Sequence, residues 1–174
     1  MSNTETALIV GVTSQDGRFL AKHLLSKGIN VTGTSRGNAE AMQGIKVLNV
    51  DPTNYDEIEK VIEMLMPDKV FILAAESSVS ASFENPYRCL DCNTNIVLNI
   101  LEAVRVKATL AKVMHACSSE VFGSTTDKLT SKDKFNPISP YALSKATSAK
   151  YVQMYRTLYD IYAVNLFLFN HESQ

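Results

Sequence analysis

Short runs of consecutive apolar residues alternate along this chain with longer stretches whose apolar residues recur every three or four positions. Ala7-Leu8-Ile9-Val10, Val31-Thr32-Gly33-Thr34, Ile45 to Val50, Val70-Phe71-Ile72-Leu73, Lys112 to Ala116 and Ala163 to Phe169 read as strands. Between them, Gly17 to Lys27 has Phe19, Leu20, Leu24 and Leu25 at helical spacing, and Gly28 closes it. Tyr55 to Met66, Pro86 to Val104 and Ser139 to Tyr159 are predicted helices as well; Pro67-Asp68 ends the first and Pro140 lies in the opening turn of the last. Strands without alternation are buried on both faces. Six of them separated by helices predict a parallel, doubly wound α/β sheet covered on both sides. The long polar segment from Phe122 to Ser139 falls between the fifth strand and the next helix, where an active-site loop is expected.

The bulk numbers narrow the class. A chain of 174 residues builds one well-packed domain. With 45% hydrophobic and 20% charged residues, a net charge of −1 and no basic stripe, nucleic acid is not an expected partner. No apolar run is long enough to span a bilayer, and Met1 to Thr6 is polar and acidic, unlike a secretion signal; a cytoplasmic protein is the expectation. Cys89 and Cys92 form a C-x-x-C, but no second ligand pair completes a zinc site. They read as two small residues one helical turn apart, and no metal is expected.

The first strand runs into Gly11-Val12-Thr13-Ser14-Gln15-Asp16-Gly17, and a helix follows. This is the position and spacing of a dinucleotide-binding turn of the Rossmann type. The first glycine makes the turn, the middle one lets a pyrophosphate approach, and the last lets helix pack on strand. Ser14 occupies the middle position and puts a side chain where a pyrophosphate would come close. At the end of the second strand, an acidic residue would bind an adenosine ribose. This chain has Ser35 and Arg36 instead, which suit a 2′-phosphate, so NADP is expected over NAD.

Tyr141 and Lys145 are four apart at the start of a predicted helix, hence on one face. A nearby ammonium is expected to lower the phenol's pKa, so that Tyr141 can exchange a proton with a substrate oxygen while hydride moves to or from a nicotinamide. Ser118 and Glu120 end the fifth strand. Two apart on extended backbone, they are expected to point the same way, Ser118 bonding the reacting oxygen and Glu120 acting as base.

With these residues in place, the chain resembles the extended short-chain dehydrogenase/reductases that act on nucleotide sugars, and among them the GDP-mannose 4,6-dehydratases. The resemblance is carried by Gly11 to Gly17, Leu73 to Val79, Ser118 to Gly123, Ser139 to Lys145 and, most diagnostically, Phe169-Asn170-His171-Glu172-Ser173. It covers essentially the whole chain, but only the N-terminal half or so of a full-length member. It implies that Gly11, Thr13, Ser14, Gln15, Asp16 and Gly17 hold the cofactor. Asp51 faces the adenine, Leu73, Ala74, Ala75 and Ser77 line the cleft, Lys145 binds the nicotinamide ribose, and His171 lies near the nicotinamide. It further implies that Ser78, Ser118 and Asn170 meet the nucleotide sugar. The implied reaction oxidises C4 of GDP-mannose through Tyr141 and removes the C5 proton through Glu120. Water leaves from C6, and hydride is returned there. Pairing through the two long helices, along Ile96, Leu98, Val152 and Met154, is implied too.

The chain also departs from the family pattern at Ser14, at Glu76, where Gln is usual, and at Gln174, where the family continues with proline and arginine. The reading is therefore residues 1–174 as an NADP-binding Rossmann domain that ends with the sixth strand, with most of the substrate lobe absent. A 4-keto-6-deoxy sugar reductase or epimerase of the same family, and a non-catalytic truncated cofactor-binding module, are the alternatives.

Overall fold

The structure is a computed structural model, which describes residues 4–37, 42–125, 128–130 and 132–171. Six strands, β1 (Thr6–Val10), β2 (Asn30–Ser35), β3 (Lys46–Asn49), β4 (Lys69–Ile72), β5 (Lys112–Ser118) and β6 (Ala163–Leu168), form one parallel sheet in the order β3-β2-β1-β4-β5-β6. This is the doubly wound order expected from the sequence. The direction reverses between β1 and β4, and that opens a crevice at their carboxyl ends.

The two-sided burial of β1 explains its unbroken apolar run. Ala7 and Ile9 pack with Ala21, Leu24 and Val31 on the side of α1 (Gln15–Ser26). Leu8 and Val10 face the opposite way, into the main core under α2 (Tyr55–Leu65), α4 (Pro86–Lys107) and α5 (Pro140–Tyr159). On the α1 side, coverage stops short of the far strands. Phe71, Met114 and Val164 share one row of the sheet and are only partly buried, and Leu166 beyond them is exposed. No helix among the described residues is long and apolar enough to cross a membrane.

Two elements escaped the periodicity. A six-residue helix, α3 (Val79–Glu84), precedes α4, and a 3-10 turn, Ser119–Phe122, follows β5. Both are too short to show a hydrophobic period. α3 starts at Ser78, whose hydroxyl accepts the Ala81 N–H. The segment after the turn is tied down by a cluster of Phe122, Phe135 and Phe167, with ring centroids 5.1–5.7 Å apart.

The pairing expectation needs correction. Ile96 and Val152 are fully buried within this chain, in the contact between α4 and α5 and the sheet, and cannot meet a second copy. Leu98 packs partly against the same core, and Met154 is exposed. Among the apolar positions that α4 and α5 turn outward are Leu90, Val106, Leu143, Met154 and Leu158. Cys89 and Cys92 lie one turn apart on α4, as read from their spacing, and both thiols are buried and free.

Candidate active site

The crevice begins at the turn between β1 and α1. Gly11 has φ +90°, and a Cβ there would lie 2.7 Å from the Ala74 nitrogen; one on Gly17 would lie 2.6 Å from the Gly11 oxygen. Both glycines are thus required, the first by conformation and close approach, the last by packing. Ser14 has φ −65°, which needs no glycine, and it caps α1: its hydroxyl donates to the Gly11 oxygen at 2.8 Å and accepts the Gly17 N–H at 3.1 Å. The side chain is folded back into the turn, where it occupies one of the N–H groups that a helix start offers to an anion.

From this turn the crevice extends two ways. One arm, about 320 Å³, is lined by Gly11, Thr13, Ser14, Ser35, Arg36, Leu73, Ala74 and Ala75. Thr13 and Ser35 hydroxyls lie 3.3 Å apart across it. Arg36 stands at its rim, 3.5 Å from the Glu76 carboxylate. The neighbours of Asp51, Val50 and Pro52, line this arm, while Asp51 itself accepts from the N–H and hydroxyl of Thr53. Ser78 lies outside both arms, in a hollow shared with Glu76 and Arg88.

The other arm, about 260 Å³, brings together Asp16, Leu73, Ala75, Ser77, Ser118, Tyr141, Lys145, Asn170 and His171. Residues far apart in sequence thus converge in one place, though Glu120 is not among those that line it. His171 bridges the arm: one ring nitrogen bonds the Phe169 carbonyl at 2.8 Å, the other the Asp16 carboxylate at 2.9 Å. Two acceptors favour the doubly protonated ring, and the His171 pKa is raised, chiefly by the Phe169 carbonyl and then by Asp16. Glu172 and Ser173 of the diagnostic string lie outside the described residues.

Two expectations about the catalytic groups are overturned in detail. Glu120 is not on extended backbone. Ser118 closes β5 and caps the 3-10 turn, its hydroxyl accepting the Glu120 N–H at 3.2 Å, so the turn and not strand alternation sets where Glu120 goes. Nor does Lys145 lower the Tyr141 pKa. Burial pushes the phenol up; a hydrogen bond with Ser118 opposes this, and the charges of Cys117 and Glu120 add to the rise. The Lys145 Nζ donates instead to the Ala116 carbonyl at 2.8 Å, and burial pulls the ammonium down to about 8. Ser118 thus bears on the phenol through a hydrogen bond and Glu120 only through its charge.

The supporting network was not foreseen. The Tyr141 N–H donates to Ser82 of α3 at 3.2 Å, and the Ser139 hydroxyl accepts the Ala142 N–H, so two serines fix the start of α5. Buried Asn93 accepts the Glu76 N–H at 2.8 Å, and its amide donates to the Glu76 carbonyl and to Ser144, which donates to the Tyr141 carbonyl. An asparagine inside an otherwise apolar helix pattern was the one signal available for it. Behind β5, His115 is fully buried. Asn165 Nδ2 donates to the Ala149 carbonyl, so its oxygen must accept from His115 Nδ1; the ring is neutral, and burial carries its pKa down to about 3.

The profile of the family described as GDP-mannose 4,6 dehydratase matches residues 8–174. This chain belongs to that family. GDP-mannose 4,6 dehydratase 2 of Arabidopsis thaliana is 37% identical over 96% of this chain and 50% of its own length, and a GDP-mannose 4,6-dehydratase of Vibrio cholerae is 36% identical over 96% and 50%. The chain thus spans about half the length of the curated relatives it matches. Among solved structures, UDP-glucose 4-epimerase of Brucella ovis superposes with a TM-score of 0.89 at 23% identity, over 96% of this chain and 52% of the other. The same enzyme from Thermus thermophilus gives 0.85 at 26%, over 93% and 54%. These likenesses bear out the fold read from the strand order.

Proposed function

We propose that this chain is the cofactor-binding half of a GDP-mannose 4,6-dehydratase, a lyase that converts GDP-mannose to GDP-4-keto-6-deoxymannose and water with NADP. The observation that carries the reading is the convergence of Ser118, Tyr141, Lys145 and His171 in one arm of a crevice whose other arm starts at Gly11 and ends at Arg36. The crevice fits a dinucleotide: its turn has no room for a Cβ at Gly11, and the α1 N-terminus opens into it. The Brucella and Thermus epimerases were solved with NAD. Arg36 and Ser35, in place of an acidic residue, favour NADP here.

NADP, when bound, supplies the hydride acceptor for C4 and the donor for C6. The chain's own residues handle protons and position. Tyr141, held high by burial, is protonated at neutral pH and donates a hydrogen bond to the C4 oxygen with Ser118. When positive charge beside it favours the phenolate, Tyr141 would take the C4 hydroxyl proton as hydride leaves C4, and the ketone forms. Lys145 holds the ribose with the donors that Ala116 leaves unused. Once C4 is a ketone, Glu120 would take the C5 proton and hand it to the departing C6 hydroxyl, which leaves as water; C5 regains a proton as hydride returns to C6, matching the one that Tyr141 took from C4. Asn170, which lines the arm of Tyr141, would meet the sugar nucleotide, whereas Ser78 caps α3 in a separate hollow and has no place in that arm. The family match favours dehydration over the reductase and epimerase alternatives. The rest of the relatives' length would supply most of the grip on the GDP moiety and would cover the half-open strand face at Phe71, Met114 and Leu166. Self-association through the outward faces of α4 and α5 belongs to the same proposal.

The test is incubation with GDP-mannose and NADP, read by mass spectrometry as loss of water. The 174-residue chain is expected to bind dinucleotide with negligible turnover, and a fusion to the C-terminal half of the Vibrio relative is expected to dehydrate GDP-mannose. Glu120→Gln in the fusion should abolish product while leaving NADP binding intact. A soluble, NADP-binding fusion that produces no 4-keto-6-deoxy sugar would reject the assignment.

A further inference from the structure

Glu76 is a carboxylate in the hollow next to the arm assigned to the adenosine, 3.5 Å from Arg36, where a 2′-phosphate dianion held by Arg36 would repel it. The structure gives it two partners. Arg88 Nη2 lies 2.8 Å from Glu76 Oε1, and Arg36 Nη2 lies 3.5 Å from the same oxygen. Only the first is a hydrogen-bond distance. Glu76 is committed to Arg88 and only loosely tethers Arg36.

This arrangement is anchored on both sides. Asn93 clamps the Glu76 backbone through its N–H and its carbonyl, so the carboxylate leaves a fixed point. Arg88 sits in the first turn of α4, where Asn85 accepts its N–H at 3.0 Å. The two ends are carried by the segment after β4 and by α4, which Asn93 of α4 holds together through the Glu76 backbone. Exposed ion pairs usually contribute little to stability. Here the consequence is for a ligand. Arg36 and Arg88 share one carboxylate, and whichever guanidinium Glu76 does not hold is free for another anion.

Resting on the NADP reading above, we propose that Arg88 determines cofactor choice indirectly: it holds Glu76, and thereby releases Arg36 to the 2′-phosphate. Glu76 is a built-in competitor for Arg36, and Arg88 disarms it. With Arg88 gone, Glu76 closes on Arg36. The nearest positive charge to the phosphate is then neutralised and the carboxylate faces the dianion. With Glu76 gone as well, Arg88 has nothing to hold and becomes dispensable.

The experiment measures NADP and NAD affinity by calorimetry for the wild type, R36Q, R88Q, R88K, E76Q and the R88Q/E76Q double variant, at low and at high salt. R88Q should lower the NADP-over-NAD preference by about tenfold, the effect of one unit charge a few ångströms from a phosphate near a protein surface. R88K keeps the charge and should stay close to wild type. E76Q should raise the preference, and in its background R88Q should change it by less than about twofold. The R88Q effect should shrink at high salt, which a purely structural defect would not do. An unchanged preference in R88Q overturns the proposal. So does an equal loss with and without Glu76, which would place Arg88 directly on the phosphate. R36Q separates the two levels: if it keeps the full NADP preference, the assignment of Arg36 fails and this inference fails with it. If R36Q loses the preference and R88Q does not, only the inference fails.

Discussion

The two arms of the crevice reach their electrostatics by opposite routes. At the arm that holds Tyr141 and Lys145, both groups are buried, and removal from water moves the ammonium down to about 8 and the phenol up. At the arm that ends at Arg36, the groups Arg36, Glu76 and Arg88 stay at the surface, and Glu76 is held low first by its hydrogen bond with Arg88, then by the Arg88 charge and, more weakly, by Arg36. The difference teaches where stability is spent. Burial shifts a titrating group at a cost to folding, whereas exposed pairs tune a binding site at almost none.

The largest effect follows from the buried arm. A folded-state pKa of about 8 against an ordinary 10.5 means that the fold is penalised for a charged Lys145; the penalty is full below about pH 8 and disappears as pH rises past 10.5. Lys145→Met should therefore stabilise the chain at pH 7 by about 2 kcal/mol, that is about 3 from the pKa shift less about 1 for the lost bond to Ala116. Urea denaturation checks this, and destabilisation would show that the arm is not strained by the charge.

His115 behind the same arm gives an effect of similar size through pH. Its folded pKa is depressed, so stability present above the unfolded value of 6.5 is lost as pH falls toward 3. Between pH 7 and pH 5 the loss should be about 2 kcal/mol, the proton uptake of one imidazole that only the unfolded chain can accept. His115→Gln should flatten that slope in the same denaturation series.

The turn between the arms gives a smaller change. Ser14→Gly removes the cap on Gly17 and frees its N–H, so stability should fall by only a few tenths of a kcal/mol, about the cost of replacing a serine cap by glycine. Dinucleotide affinity should rise several-fold. Equal or weaker binding would mean that the folded-back hydroxyl does not compete with the pyrophosphate. The smallest effect belongs to the exposed arm. Arg88→Gln should alter unfolding free energy by less than about 0.5 kcal/mol, as surface pairs do, whatever it does to binding.

The same contrast decides what could be read from the sequence. The strand order was legible because β1 is buried on both faces and β4 is apolar even on its half-open face, so neither carries alternation, and Tyr141 and Lys145 were legible because one helix turn joins them. Glu120 was misjudged for a local reason: four residues of 3-10 turn leave no periodic trace, so strand alternation was carried one step too far. The lowering of the Tyr141 pKa was misjudged because spacing shows that Lys145 shares a face but not that its ammonium turns to Ala116. Ile96 and Val152 looked like an interface because apolar helix positions do not reveal which neighbour covers them. The Arg36–Glu76–Arg88 cluster could not be seen at all, since its members come from the end of β2, the segment after β4 and α4, and nothing in the chain order joins them.

The central claim, that this crevice is the dinucleotide site of a dehydratase half, is tested most directly by calorimetric titration of NADP and NAD into the 174-residue chain. The account expects saturable one-to-one binding, tighter for NADP, and lost when Gly11→Ala places a Cβ against the Ala74 nitrogen. Failure of the folded chain to bind either dinucleotide, or binding that Gly11→Ala leaves untouched, would contradict it.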